Sequence, residues 1–503
     1  MRQLPPWGQD DLPEPLPFSL RNIFHTIGPG AILLAASIGG GEWLAGPTAA
    51  VKHGTGIFWI ATMAILLQLL LNLEAIRYTL YTGEPITTGF MRLQPGSRFW
   101  GNIYIALTVI QLAAPALARG CASVVLAAVL WRLPTDADSF PLQFCMYGVL
   151  ALAVILLMSG KKIERTLEIL SWGMIAYIFT FLIAVNIIGV PAAHSMETAL
   201  GFLKFGYLPD DVNILLLATL VSTAGAGGVG NLAISNWVRD KGFGMGGKVG
   251  AIGSTFAEAG SEPTHVGKVF SVNSENLRRW GLWWKYVQLD QVVLWAGGCF
   301  IGMYLNVNLA TAIIPKGEAA NMEGIAAGAF QAEYLAQHYW KGLWVLGLLN
   351  GFWILFSTHL GNTDVLVRMV TDIFWTSEAE TCQRRGWHIT KIYSSLLVAV
   401  TIIYMVVIQF GSAMKLFQFL GIMANVILAI GAVQILFVNR RLLPAELRPS
   451  LFRQGMLVVC ALVYTTVLGV VVYDQVKNLT APPEIPAKAS AALDSKDVGE
   501  RVF

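Results

Sequence analysis

The chain has 503 residues, of which 55% are hydrophobic and 13% are charged. Because an ordinary soluble domain is roughly one quarter charged, this composition excludes a soluble fold. The net charge of +3 is small for this length and gives no basis for nucleic-acid binding. The lipid bilayer is therefore the predicted environment of most of the chain.

Residues 1–24 are polar and rich in proline, and we interpret them as a cytoplasmic segment. They lack the apolar stretch and the small-residue cleavage site of a signal peptide. We therefore expect the first membrane helix to be retained.

Eleven apolar segments follow, each about as long as the roughly 20 residues that a helix needs to cross a bilayer. They are predicted at 27–51, 56–81, 101–131, 142–159, 168–190, 212–238, 283–306, 341–365, 392–410, 412–438 and 454–475. This pattern predicts an all-α polytopic membrane protein with one transmembrane domain over 25–475. The polar tail, 476–503, is expected to be disordered.

The distribution of basic residues predicts the orientation in the membrane. If the N-terminus is cytoplasmic, the inner segments and inner helix ends hold 23 of the 34 Lys and Arg residues. The outer segments hold 10, and Arg119 falls within a span. We therefore expect the N-terminus inside and, with eleven spans, the C-terminus outside.

Two spans are interrupted by glycine-rich sequences. Span one contains Ser-Ile-Gly-Gly-Gly-Glu-Trp at 37–43, and span six contains Ser-Thr-Ala-Gly-Ala-Gly-Gly-Val-Gly-Asn at 222–231. Glycine weakens a helix, and the freed backbone groups need partners within protein or a wet cavity. Matching breaks in two halves indicate an inverted repeat with a substrate site at the breaks. Close helix packing through small residues is the alternative.

Around these breaks the sequence resembles the Nramp family of divalent-metal transporters, which have the leucine-transporter-like fold of five plus five inverted repeats. The matching motifs are Gly28-Pro-Gly30, the 36–43 break, Arg77-Tyr-Thr-Leu-Tyr-Thr-Gly83, Gly160-Lys-Lys-Ile-Glu164 and Gly347-Leu-Leu. The resemblance covers about residues 25–475. It implies broken helices 1 and 6 and transport by alternating access.

The sequence departs from the family at the metal site. The alignment places Gly39 at the family's metal-binding aspartate and Glu42 at its asparagine. Gly-Val-Gly-Asn at 228–231 replaces Met-Pro-His-Asn, which removes the soft methionine ligand and the histidine associated with proton movement. Pro115 and Arg119 stand where the family has acidic residues. A further difference is Asn425 in span ten, where the family has glutamine.

These differences shape the predicted substrate. One carboxylate with carbonyl and amide oxygens suits a hard or hydrated divalent cation of the Mg or Mn class better than a tightly chelated transition metal. The predicted substrate or ion site consists of Gly39, Gly41, Glu42, Gly225, Gly228, Asn231 and Asn425, with Glu42 as the metal ligand. Because we find no ATPase motif, we expect an ion gradient, such as a coupling proton, or the substrate's own gradient to drive transport.

Two other functions remain open. Half-helix N-termini at glycine breaks also suit a small organic solute or anion, such as an amino acid or a carboxylate. A membrane sensor that transports nothing is the third hypothesis. The sequence has no constellation of nucleophile, metal ligands or cofactor motif, and the cysteines at 121, 145, 299, 382 and 460 have no paired spacing. We therefore expect no enzyme activity and no cofactor.

Four ionisable residues within the spans have two interpretations each. Glu42 either binds the substrate or caps the second half-helix. Arg119 either serves a gate or an anion, or pairs with a structural acid such as Glu74, Asp290 or Asp364, and we favour the structural pair. Asp364 and Arg368 are four residues apart, which favours a mutual salt bridge over a proton relay. We interpret His359 as a hydrogen-bonded interior histidine, with proton transfer as the alternative.

Overall fold

The computed structural model describes residues 3–159, 162–210, 212–253, 262–318, 322, 324 and 326–480. The helices in chain order are α1 (Leu20–Thr26), α2 (Pro29–Ser37), α3 (Gly46–His53), α4 (Trp59–Thr82), α5 (Ile86–Arg92), α6 (Ser97–Leu112), α7 (Ala116–Leu130), α8 (Ser139–Met158), α9 (Ile163–Gly189), α10 (Ala192–Gly201), α11 (Ile214–Thr223), α12 (Val229–Lys241), α13 (Ser274–Gln288), α14 (Gly297–Ile313), α15 (Phe330–His338), α16 (Leu343–Ser377), α17 (Ala379–Arg385), α18 (Ile389–Val407), α19 (Ala413–Leu442) and α20 (Leu451–Thr480). Two π-helical segments, Gly40–Ala45 and Leu289–Ala296, join α2 to α3 and α13 to α14.

The helices reproduce the predicted spans. Within the described ranges, nine continuous helical segments are long and apolar enough to cross a bilayer. A tenth span is the pair Leu20–Thr26 and Pro29–His53, bent by 62°. Helix α11 alone is short, but α12 continues it after the second glycine break. The all-α polytopic class is therefore confirmed, and each of the eleven predicted spans lies on helix.

Local sequence explains several helix ends. Pro29 occupies the first turn of α2, where its missing N–H costs nothing. Helix α4 ends at Gly83, whose φ of 68° lies in the left-handed region that glycine tolerates. Between α18 and α19, Gly411 has a φ of 78°, and the Ser412 side chain accepts a hydrogen bond from the Lys415 N–H. The helix is therefore interrupted between predicted spans nine and ten.

The predicted C-terminal tail begins too early. Helix α20 continues to Thr480, so 476–480 are helical and not part of an irregular tail. The rest of the tail, 481–503, and the Gly160-Lys161 part of one family motif lie outside the described residues.

The N-terminal segment packs along one end of the bundle. Its strand β1 (Gly8–Gln9) pairs in parallel with β2 (Lys268–Val269), in the register Gly8 to Lys268. The Trp7 Nε1–H donates to Glu84 at the end of α4. Lys248 and Lys268 form salt bridges with the Asp10 carboxylate, and they lower its pKa to about 2. This short two-stranded sheet ties the chain start to the connection between spans six and seven.

Buried ion pairs hold the second half of span six in place. Arg239 of α12 pairs with Asp372 of α16 at 2.7 Å. Lys241, at the end of α12, pairs with Glu168 of α9 at 2.6 Å. Because a buried charge that loses its partner is strongly destabilising, these contacts fix α12 against α9 and α16.

Candidate functional site

The first glycine break is short and stays nearly helical. Only Ile38 and Gly39 depart from helix between α2 and the π-helical segment Gly40–Ala45. A Cβ built on Gly39 would overlap the Thr358 side chain, and one on Gly41 would overlap the Thr223 carbonyl oxygen of the other break. The glycines of break one therefore permit two backbones to touch. Such π-helical turns occur frequently at functional sites.

The second glycine break is a true interruption of the helix. Residues 224–228 separate α11 from α12, and Gly225, Gly227 and Gly228 have φ values of 128°, 67° and 83°. Side chains rarely tolerate these conformations, so glycine is needed at all three positions.

A small cavity lies between the two breaks. Its volume is about 20 Å³, which is room for about one water-sized sphere. Its walls come from both breaks and from α16 and α19, and are formed by Ala36, Ser37, Gly40, Gly41, Thr223, Gly225, Ala226, Gly227, Thr358, Asn362, Phe417 and Leu420. Of the predicted site residues, Gly41 and Gly225 line this cavity, and Gly39 packs against its Thr358 wall.

Two glutamines that the sequence analysis did not select satisfy the backbone of break two. The Gln68 Oε1 accepts from the N–H groups of Ala226 and Gly227 at 2.8 and 3.2 Å. The Gln111 Nε2 donates to the Gly227 carbonyl at 2.5 Å, and its Oε1 accepts from the Val229 N–H at 3.1 Å. The N–H groups of Ala226, Gly227 and Val229, at and just before the start of α12, are therefore already bonded to protein.

A chain of amide side chains continues from break two to the start of span one. The Asn231 Oδ1 accepts from the Gly228 N–H at 3.1 Å, and its Nδ2 donates to Asn72 at 2.9 Å. Asn72 then donates to Gln291 at 3.1 Å, and Gln291 donates to Asp290 at 2.9 Å.

At the end of this chain, Asp290 caps the first half-helix. Its carboxylate accepts from the N–H groups of Gly28 and Gly30 at 3.0 and 2.7 Å. The hydrogen bonds thus connect both broken spans through α4 and the π-helical segment Leu289–Ala296. The signal for these contacts was present in the sequence, since Gln68 and Asn72 are amides four residues apart in a mostly apolar span.

Glu42 is buried beside the cavity-lining glycines and has no hydrogen-bonding partner. Its side chain is 0% exposed, and neither carboxylate oxygen has a partner among the described residues. It is not part of the cavity wall. Since an isolated buried carboxylate anion is very costly, Glu42 must be neutralised by a proton or by a cation.

The predicted pairing of Arg119 is wrong. Its Nη1 donates to the Ile408 carbonyl at 2.7 Å, and no carboxylate in the described part of the chain pairs with it. The three acids that we considered have other partners: Glu74 binds Arg77 and Arg453, Asp290 binds Gly28 and Gly30, and Asp364 binds Arg368. Arg119 is also absent from the cavity wall.

The other ionisable candidates also lie away from the cavity. The Asp364–Arg368 ion pair is present at 2.8 Å, and Asp364 also accepts from Tyr393 and Trp237. His359 is buried, as expected of an interior histidine, and its Nε2 has no partner within the described ranges.

Asn425 and the second-break residues have supporting positions. The Asn425 Nδ2 donates to the carbonyls of Ala218 and Gly421, which joins α19 to α11. Neither Asn425 nor Gly228 nor Asn231 contributes to the cavity wall. These residues hold the walls in place and do not face the enclosed space.

The polar groups of the cavity wall are neutral side chains, which stand among glycines and apolar residues. The Ser37 and Thr358 hydroxyls donate to the backbone carbonyls of Leu33 and Ala35, so their oxygens keep lone pairs to offer. Asn362 adds an amide that is partly exposed. Among the described residues, no group of three or more His, Cys, Asp or Glu side chains could hold a metal ion. The site differs in this respect from a tightly chelating centre.

No protein-family model and no curated protein matches this chain. Solved structures do match over nearly its whole length. Two mutant structures of the Eremococcus coleocola manganese transporter align with TM-scores of 0.65 and 0.66 at 14% and 13% identity, and cover 98% of this chain and 94% of theirs. A complex of that transporter with an aromatic bis-isothiourea substituted compound gives a TM-score of 0.61 at 13% identity. The transporter fold predicted from the family resemblance is therefore confirmed.

Proposed function

We propose that this protein is a secondary transporter of a hard divalent cation of the Mg or Mn class, which passes through the cavity between the two breaks by alternating access. The observation that carries this proposal is a cavity of about 20 Å³ whose polar walls are hydroxyl and amide side chains, with the unpaired Glu42 carboxylate nearby. Oxygen ligands suit Mg²⁺ and Mn²⁺, and no thioether lines the cavity.

The alternative of an anion or organic solute has less support from this geometry. Four of the N–H groups that could bind an anion at break two are taken by Gln68, Gln111 and Asn231. Arg119, the expected anion partner, is elsewhere. A volume of about 20 Å³ also holds no amino acid, and a fully hydrated ion must lose waters or enter a wider conformation.

Substituting Glu42 with Gln tests the proposal. The change keeps the size of the side chain and removes its charge, so we expect Mg²⁺ or Mn²⁺ uptake into proteoliposomes to fall by about tenfold or more, with thermal stability unchanged. Glu446→Gln, at an exposed position, is the matched control. If neither ion binds or moves in the unaltered protein, the proposal is wrong. Uptake of an amino acid or carboxylate instead would favour the alternative.

We further propose that the N-terminus is cytoplasmic, that the C-terminus lies outside, and that a proton or other ion gradient drives transport without enzyme activity. The excess of basic residues on the side of the N-terminus supports the orientation. A protease added outside sealed vesicles should cleave after Lys477 and spare the N-terminal segment. Cleavage in the opposite pattern would reverse the orientation.

A further inference from the structure

A groove lies between the ends of α16 and α18, far along the chain from either break. Its volume is about 740 Å³. Val370 and Phe374 of α16 form one wall, and Ile392 and Leu396 of α18 form the other. Ile392 and Leu396 lie at the start of the predicted span 392–410, whereas Val370 and Phe374 follow the end of the predicted span 341–365. The groove therefore lies at the end of both spans, where lipid chains meet headgroups.

The mouth of the groove is basic. Arg385 and Lys391 line it, and both are exposed. Neither has a carboxylate partner in the described part of the chain, whereas the neighbouring His388 is paired with Glu262 at 3.1 Å. The mouth therefore carries two positive charges that no acid within the described ranges neutralises.

Aromatic contacts position the basic residues at the mouth of the groove. Trp387 stacks on Phe374 with ring centroids 6.1 Å apart, and the Arg385 guanidinium lies over the Trp387 ring at 5.0 Å. Tryptophan favours the boundary between lipid headgroups and acyl chains, which places the basic residues at headgroup level.

The groove lies on the same side as the N-terminal segment. Trp375, near the end of α16, donates to the Pro263 carbonyl, and four residues later Gly267 contacts the N-terminal segment through the Gly8 N–H. The predicted cytoplasmic loops, which carry most of the basic residues, share this side.

We propose that this groove binds an anionic phospholipid. Its phosphodiester contacts Arg385 and Lys391, and one acyl chain lies along the apolar walls. Basic pockets between transmembrane helices recognise anionic headgroups in this way, and the apolar depth selects a lipid over free phosphate. The proposal rests on the membrane location alone and is independent of the transported substrate.

Lipid retention in native mass spectrometry tests the proposal. Full-length protein is taken from nanodiscs that contain equal amounts of phosphatidylglycerol and phosphatidylcholine. We expect selective retention of phosphatidylglycerol, and its affinity should be about 30-fold lower in the double variant Arg385→Gln and Lys391→Gln, since each basic residue near an anionic surface contributes roughly fivefold.

The matched control removes two exposed lysines elsewhere, Lys204→Gln and Lys477→Gln, and should keep the lipid. A second variant, Leu396→Trp, fills the groove without changing charge and should also release it. Equal retention in the double variant and the control would overturn the proposal. So would equal retention of the two lipids, or full displacement by inorganic phosphate.

Discussion

The two glycine breaks differ in how they satisfy the backbone groups that an interrupted helix leaves without partners. Break one remains a π-helical turn, and its glycines allow the Thr223 backbone to approach closely. Break two opens into 224–228, where Gln68 and Gln111 satisfy the exposed backbone groups. The only carboxylate at either break, Glu42, belongs to break one and has no partner within the described ranges. The backbone of break two is thus held rigidly by side-chain hydrogen bonds, whereas break one supplies the ionisable group.

The largest effect should come from a substitution that forces the two breaks apart. In Gly41→Ala, the new methyl group meets the Thr223 carbonyl, a main-chain atom that cannot rotate away. We expect a loss of about 3 kcal/mol of stability and no measurable cation uptake. Thermal melting in detergent and proteoliposome flux measure the two effects.

Gly173→Ala in α9 is the control, because nothing lies within 4 Å of the added methyl group. Its stability and uptake should equal those of the unaltered protein. If Gly41→Ala behaves like Gly173→Ala, the two backbones do not touch as described.

An intermediate effect is expected when break two loses its frame. Gln68→Leu leaves the N–H groups of Ala226 and Gly227 without an acceptor. Each unsatisfied group costs about 1–3 kcal/mol, so the melting temperature should fall clearly. Faster hydrogen exchange at 224–228 would locate the loss. The same substitution at the exposed Gln288 should change neither measurement. If hydrogen exchange at 224–228 stays slow in Gln68→Leu, this glutamine does not hold break two.

The smallest effect should follow from Asn425→Ala. This residue joins α19 to α11 through the Ala218 carbonyl and lies outside the cavity wall. We expect a loss of about 1 kcal/mol and uptake within about twofold of normal. A large fall in uptake at unchanged stability would return Asn425 to the ion site and weaken the distinction between frame and site.

The positions of the spans and breaks followed from the sequence. Long apolar segments cross a bilayer whatever their neighbours are, so the nine continuous spans and the bent tenth one within the described ranges were predicted from local composition. The glycine runs likewise predicted where helices are interrupted, because glycine weakens a helix at any interior position.

The partners of polar groups were decided by tertiary structure. Whether Arg119 meets an acid or the Ile408 carbonyl depends on which helix face opposes it, 289 residues away in the chain. The amide chain from Asn231 through Asn72 and Gln291 to Asp290 joins three separate elements, and no local pattern specifies that order. Apolar length and glycine runs were enough to predict which segments enter the membrane and where their helices are interrupted. Only the packing of those segments determined which breaks are satisfied by protein and left Glu42 without a partner.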